Sequence, residues 1–147
     1  MHKQLINVHT GEFTIENGFC VSASTTRQEL RAYFGETRLT ESASVKDCYI
    51  SEQIAHDKLY FTFFFYISDD KIKKIGFEIE DRPGPREPWT NNRDGETRWI
   101  ATQMGDKSGF TWDMSRAGRH YHISYRWGSI GVYYDFRNGT FDSMLCY

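Results

Sequence analysis

Residues 59–67 read Leu59-Tyr60-Phe61-Thr62-Phe63-Phe64-Phe65-Tyr66-Ile67. In an extended chain Leu59, Phe61, Phe63, Phe65 and Ile67 share one parity, and Tyr60, Phe64 and Tyr66 share the other. A strand that is apolar on both parities belongs in the middle of a sheet, covered at least in part on both faces. Ser68-Asp69-Asp70 then turns the chain into a strand over Lys71 to Glu80. There Ile75, Phe77 and Ile79 face inward while Lys74, Glu78 and Glu80 face water.

Upstream, Val45 to Ile54 reads as one strand, and residues 3–8 as a short opening strand. Glu16-Asn17-Gly18 is a hairpin turn between Phe13 to Ile15 and Gly18 to Ala23. In Ser24-Thr25-Thr26-Arg27-Gln28-Glu29 a hydroxyl cap stands three residues before Gln or Glu, which starts a helix. That helix runs to Phe34 and stops at Gly35, with Leu30, Tyr33 and Phe34 on its buried stripe.

Downstream, all three prolines fall within Pro83 to Pro88, which makes that stretch a loop. A second helix lies within Asp94 to Met104, with Trp99, Ile100, Gln103 and Met104 on one face and Gly105 as its stop. Arg119 to Trp127 alternates, setting Tyr121, Ile123 and Tyr125 against His120, His122, Ser124 and Arg126. Gly128 to Tyr134 and Thr140 to Tyr147 follow as two more strands around Asp135 to Gly139. Strands, helix, strands, helix, strands: this order gives a single α+β domain over residues 1–147, with a mostly antiparallel sheet and two helices. Its first and last strands are expected at the edges, where a dimer could pair.

Composition narrows the function classes. The chain has 147 residues, 39% hydrophobic and 16% aromatic, with a net charge of −2, so it is an ordinary globular sequence. Residues 1–83 carry −3 and residues 84–147 carry +1, so neither half has the basic field that phosphate binding uses. Single-stranded RNA binding is thereby the weakest reading, and no nucleic acid or membrane partner is expected. The opening apolar run breaks after Leu5-Ile6, unlike a secretory signal. Cys20, Cys48 and Cys146 are an odd set without CxxC spacing, read as thiols on strands, partly or fully buried. Both point to a cytoplasmic protein.

Chemical signatures are sparse. His120 and His122 share a strand face at spacing i, i+2, but zinc needs further ligands, from His56, Asp57 or a cysteine, that no local motif places. A solvent-facing polar stripe explains the two histidines as well, so no metal and no cofactor is assigned. Cys48 lacks a neighbouring histidine, Ser129 lacks a G-x-S-x-G setting, and no glycine-rich phosphate loop occurs. No catalytic residue is therefore assigned, and a non-enzymatic role is expected.

Partner binding asks for less. Trp and Arg are the residue types enriched at interface hot spots. Trp99 reads as core on its helix and Trp127 as a cap on the sheet. Trp89 and Trp112 stand in loop-like segments, equally suited to packing down or meeting a partner. The candidate partner-binding residues are Trp89, Arg93, Trp112, Arg116, His120, His122 and Arg126. The alternative is a small-ligand or enzymatic site on a concave sheet lined by Tyr60, Tyr66, Tyr121 and Tyr125.

The stretch Tyr125-Arg126-Trp127-Gly128-Ser129-Ile130-Gly131-Val132-Tyr133-Tyr134-Asp135-Phe136-Arg137-Asn138-Gly139 carries a WG-x-I and a YD-x-x-x-G rhythm. With the strand that ends at Tyr147 it resembles the tail of small bacterial immunity proteins from interbacterial toxin systems, contact-dependent or secreted. The resemblance implies an α+β cytoplasmic protein that binds one cognate toxin domain and occludes its active site. It carries over no functional residue, because that group shares no common motif. The net charge of −2 departs from the strongly acidic balance expected opposite a basic nuclease.

Overall fold

A computed structural model describes residues 3–86, 93–106, 119–135 and 140–147. The chain runs β1 (Phe13–Glu16), β2 (Phe19–Val21), α1 (Arg27–Phe34), β3 (Leu39–Glu41), β4 (Cys48–Ser51), β5 (Ile54–His56), β6 (Leu59–Ser68), β7 (Lys71–Glu80), α2 (Arg93–Met104), β8 (Arg119–Tyr125), β9 (Gly128–Asp135) and β10 (Thr140–Cys146). This is the α+β architecture expected from the sequence, with two helices and an antiparallel sheet. The main sheet has the order β3-β4-β6-β7-β10-β9-β8, with β5 also paired to β6, while β1 and β2 form a separate hairpin.

The β6–β7 hairpin is the keel of the sheet. Asp69 and Asp70 both take positive φ, 52° and 63°, the paired left-handed conformation of a tight hairpin turn that follows the strands' twist. The register shifts by one residue between Tyr66↔Lys74 and Ile67↔Ile72, so Lys73 is the extra residue of a bulge. That bulge lets Ile72 and Ile75, three apart, both turn into the core.

On the inner face, Phe61, Phe63, Phe65 and Phe77 are fully buried. Phe13 meets Phe63 edge to face at 5.2 Å, and Trp99 of α2 meets Phe61 at 5.1 Å. Burying each such ring contributes about 1.5–3 kcal/mol. Thr26 and Glu29 form a reciprocal capping box at the start of α1, which presses Leu30 and Phe34 onto the same face, and Gly35 closes it at φ 71°. Glu96 of α2, 1% exposed, accepts from the Ile79 backbone N–H at 2.9 Å, Arg86 at 2.6 Å and the Ser143 hydroxyl at 2.6 Å. One carboxylate thus ties α2 to β7 and β10.

Several expectations change. Val45 to Ile54 is two strands, β4 and β5, laid end to end along β6. At the break the Ser51 hydroxyl accepts from the Phe63 backbone N–H at 3.0 Å, replacing a ladder carbonyl. Residues 3–8 form no strand; Ile6 makes one isolated bridge to Phe13. β3 lies outside every expected element, since its Thr40 and Glu41 are exposed. The last strand is not an edge: β10 runs between β7 and β9, and the edges of the main sheet are β3 and β8. All three cysteines are free, and Cys20 is exposed rather than buried. No helix among the described residues is long and apolar enough to cross a membrane.

Candidate functional site

Both helices and the β1–β2 hairpin pack on the inner face, and no described element covers the outer one. β6 is central, with its inner parity buried and Tyr60, Phe64 and Tyr66 of the other parity half-buried, and among the described elements only the inner face is packed over. Strand register writes the outer face as cross-strand rows. Cys48, Tyr66, Lys74, Cys146 and Ser129 lie side by side across β4, β6, β7, β10 and β9. The next row is Ile50, Phe64, Gly76, Met144, Gly131 and His122, ending on β8. The row beyond holds Thr62 and Glu78, then Asp142 and Tyr133. Asp142 and Glu78 each stand one residue past the Ser143↔Phe77 pair.

A concavity of about 760 Å³ opens on these rows, lined by Phe64, Tyr66, Lys74, Glu78, Asp142 and Met144 among others. Gly76 leaves its middle without a side chain. A Cβ there would lie 3.4 Å from the Phe64 Cβ and 3.5 Å from the Tyr66 ring, ordinary contact distances, so the gap is a space a methyl group fits.

Electrostatically the concavity is uneven. Lys74 places its Nζ 4.3 Å from the centre of the Tyr66 ring. Burial pushes the Tyr66 hydroxyl up to about 12, helped by Cys48 and Asp142 nearby. Burial also raises the Cys48 and Cys146 thiols, the reverse of what a thiolate nucleophile needs. Glu78 and Asp142 are partly buried. Burial raises the Glu78 carboxyl, with the Glu80 and Asp142 charges adding to it. Burial and the Asp135 charge raise Asp142. Neither carboxylate has an ion pair or hydrogen-bond donor among the described residues. Lys74 acts on Asp142 and Arg86 on both from a distance, and Arg86 is itself bound to Glu80 and Glu96.

Of the residues singled out from sequence, Trp89, Trp112 and Arg116 lie outside the described residues. Arg93 opens α2, with its side chain outside them as well. Arg126 is exposed in the β8–β9 turn. The two histidines part company. The register moves from Arg119↔Tyr133 to Tyr121↔Val132, so His120 is the extra residue of a bulge. It is 2% exposed and packs edge-on against Phe141 at 5.2 Å, so it presents no surface to a partner. His122 stays on the outer face, hydrogen-bonded through Nδ1 to the Tyr133 hydroxyl at 2.7 Å and through Nε2 to Ser124 at 3.0 Å. Among the described residues, no group of three or more His, Cys, Asp or Glu could hold a metal ion.

The four-tyrosine pocket does not form. Tyr60 and Tyr66 belong to the outer parity of β6, whereas Tyr121 and Tyr125 share the inner parity of β8 with Ile123. The Tyr121 hydroxyl donates to Asp106 beyond α2. A second groove, about 610 Å³, separates the opening segment from the end of α2. Gln103 in its wall is already used: it accepts from the Leu5 backbone N–H at 2.7 Å and donates to the Lys3 carbonyl at 2.7 Å.

Phe64, Gly76, Glu78, Asp142 and Met144 were missed as a group from sequence. The signal was the second parity of residues 60–66 set beside that of 74–78, which share a face once the hairpin closes. Comparison with known proteins finds no match: no protein-family model, no curated protein and no solved structure is similar to this chain.

Proposed function

We propose that this chain is a non-enzymatic protein-binding module, an immunity protein that neutralises a cognate bacterial toxin domain in the cytoplasm by one-to-one occlusion. The outer sheet face makes the contact. One observation carries the reading: Glu78 and Asp142, partly buried and without an ion pair among the described residues, stand beside Phe64 and Met144 on a face that no described element covers. A face finished by a partner accounts for carboxylates that the described residues leave without an ion pair. The resemblance of residues 125–147 to immunity proteins supplies the class of partner. An interface of that kind buries on the order of 1,600 Å².

Affinity purification from the source cells, with the cognate toxin expressed, tests this. The expected result is one protein partner at a one-to-one ratio, bound at least ~tenfold more weakly by the Glu78→Gln/Asp142→Asn variant. A partner whose affinity for that variant is unchanged overturns the assignment of the face. Changing Trp89 and Trp112 together to Ala tests the loop contribution in the same assay, with weaker binding as the expected result.

A further inference from the structure

Resting on that reading, we infer that the partner anchors itself with an arginine, whose guanidinium seats between Glu78 and Asp142 and lies against Phe64 and Met144 over Gly76. Four observations lead there. The register sets the two carboxylates on neighbouring strands and on the same face, one residue beyond Ser143↔Phe77. Among the described residues, the cations that act on them do so without an ion pair: Lys74, which acts on Asp142, sits over the Tyr66 ring, and Arg86, which acts on both, is bound to Glu80 and Glu96. The Phe64 ring, in contrast, makes no ring or cation contact among the described residues. Gly76 puts no side chain into the concavity that Phe64 and Met144 line, and a Cβ there meets Phe64 and the Tyr66 ring only at contact distance.

The occupant follows from these features by elimination. Carboxylates repel phosphate, so a nucleic acid or an anionic lipid surface does not fit. A divalent ion such as calcium takes six to eight oxygens, and two carboxylates fall short. A lysine satisfies the charge but offers one compact ammonium group. The guanidinium group is planar, presents several N–H donors in a fixed fork and stacks on aromatic faces. That matches two carboxylates beside a ring and a thioether. Lys74 over Tyr66 shows the same pairing of cation and ring one row away on this face.

The test uses the full chain labelled at methionine methyl groups, with the Met144 signal assigned by Met144→Leu. The probe is N-acetyl-arginine amide, and the control is its neutral isostere N-acetyl-citrulline amide. A saturable shift of the Met144 methyl is expected with the arginine probe and not with citrulline. Glu78→Gln/Asp142→Asn weakens that binding at least ~tenfold, the loss expected on removing hydrogen bonds to charged groups. Gly76→Ala, whose methyl fills the floor without a clash, weakens it too while the amide spectrum shows the fold intact.

No saturable Met144 shift, an equal response to citrulline, or unaltered binding by the double variant overturns the inference. Those failures are separable from failure of the binding reading. A toxin that binds the wild-type chain one to one while the arginine probe does not removes the anchor alone. An intact probe response with no protein partner removes the immunity reading and leaves the guanidinium site.

Discussion

Glu78 and Asp142 cost the isolated fold stability, and their cost is measurable. Both carboxyls are raised above their ordinary value, by burial first and by neighbouring carboxylates second. Folded chains therefore hold protons on these groups that unfolded chains have released. The contribution of these two groups to stability is greatest below the ordinary carboxyl range near ~4, falls as pH rises through the raised values, and levels off above them. Buried Glu96 is raised as well and adds to the same slope. Glu78→Gln/Asp142→Asn should thus be more stable than wild type at pH 7, by about 0.5–1 kcal/mol for relief of like charges on neighbouring strands. It should also show a shallower fall of stability with pH. Urea titrations of both chains from pH 4 to pH 8 measure this, and a variant less stable than wild type at pH 7 refutes the argument. The opposite outcome is expected at Glu96. Glu96→Ala leaves the Arg86 guanidinium, 13% exposed, with Glu80 as its remaining carboxylate, and leaves the Ile79 N–H and the Ser143 hydroxyl without this acceptor. Losing a buried hydrogen-bonded carboxylate costs about 1.5–3 kcal/mol, readable as a drop in the urea midpoint.

Single elements were legible where one local rule decided them. The Thr26–Glu29 box and Gly35 bound α1 as read, because capping depends on residues a few positions apart. Thr26→Ala should accordingly cost about 1 kcal/mol in thermal or urea unfolding. Gly105 closes α2 with φ 66° for the same local reason. Bulges were not legible, since an extra residue in one strand is defined by its partner strand. Alternation put His120 and His122 on one face, and the bulge at His120 turned that residue inward. The same bulge brings the Tyr121 backbone over β9. A Cβ on Gly131 would stand 2.2 Å from the Tyr121 carbonyl oxygen, a collision with backbone that cannot swing aside. Gly131→Ala should destabilise by about 1–3 kcal/mol, the usual cost of overpacking, while Gly76→Ala should not. Paired melting curves of the two variants separate a glycine needed for strand approach from one that leaves a groove open.

At the scale of the molecule, strand order is what the sequence hides. Segment pattern gives α+β, but it does not say that the chain leaves β7, crosses the inner face through α2, lands on the far edge as β8 and meanders back. The last strand then fills the centre, with Leu145 opposite Ile75 on β7 and Ile130 on β9. The candidate face depends on that return, because Asp142 and Met144 come from β10 while Phe64, Gly76 and Glu78 come from β6 and β7. Only Phe64 and Glu78 of these were read from the sequence, as strand-parity residues; Gly76, Asp142 and Met144 were not, and the adjacency joins segments some sixty residues apart. Removing Thr140–Tyr147 should therefore do far more than trim an edge. It exposes the β7 and β9 ladders at once, takes Phe141 and Leu145 out of the core, and deletes the Ser143 hydroxyl bound to Glu96. It also removes the Tyr147 hydroxyl that donates to the Gly11 carbonyl at 2.7 Å. The truncated chain is expected to lose its cooperative urea transition and to expose apolar surface to a hydrophobic dye. A chain ending at residue 139 that still unfolds in one sharp transition would mean that the β6–β7 hairpin and the helices hold a core without the strand between the two halves of the sheet.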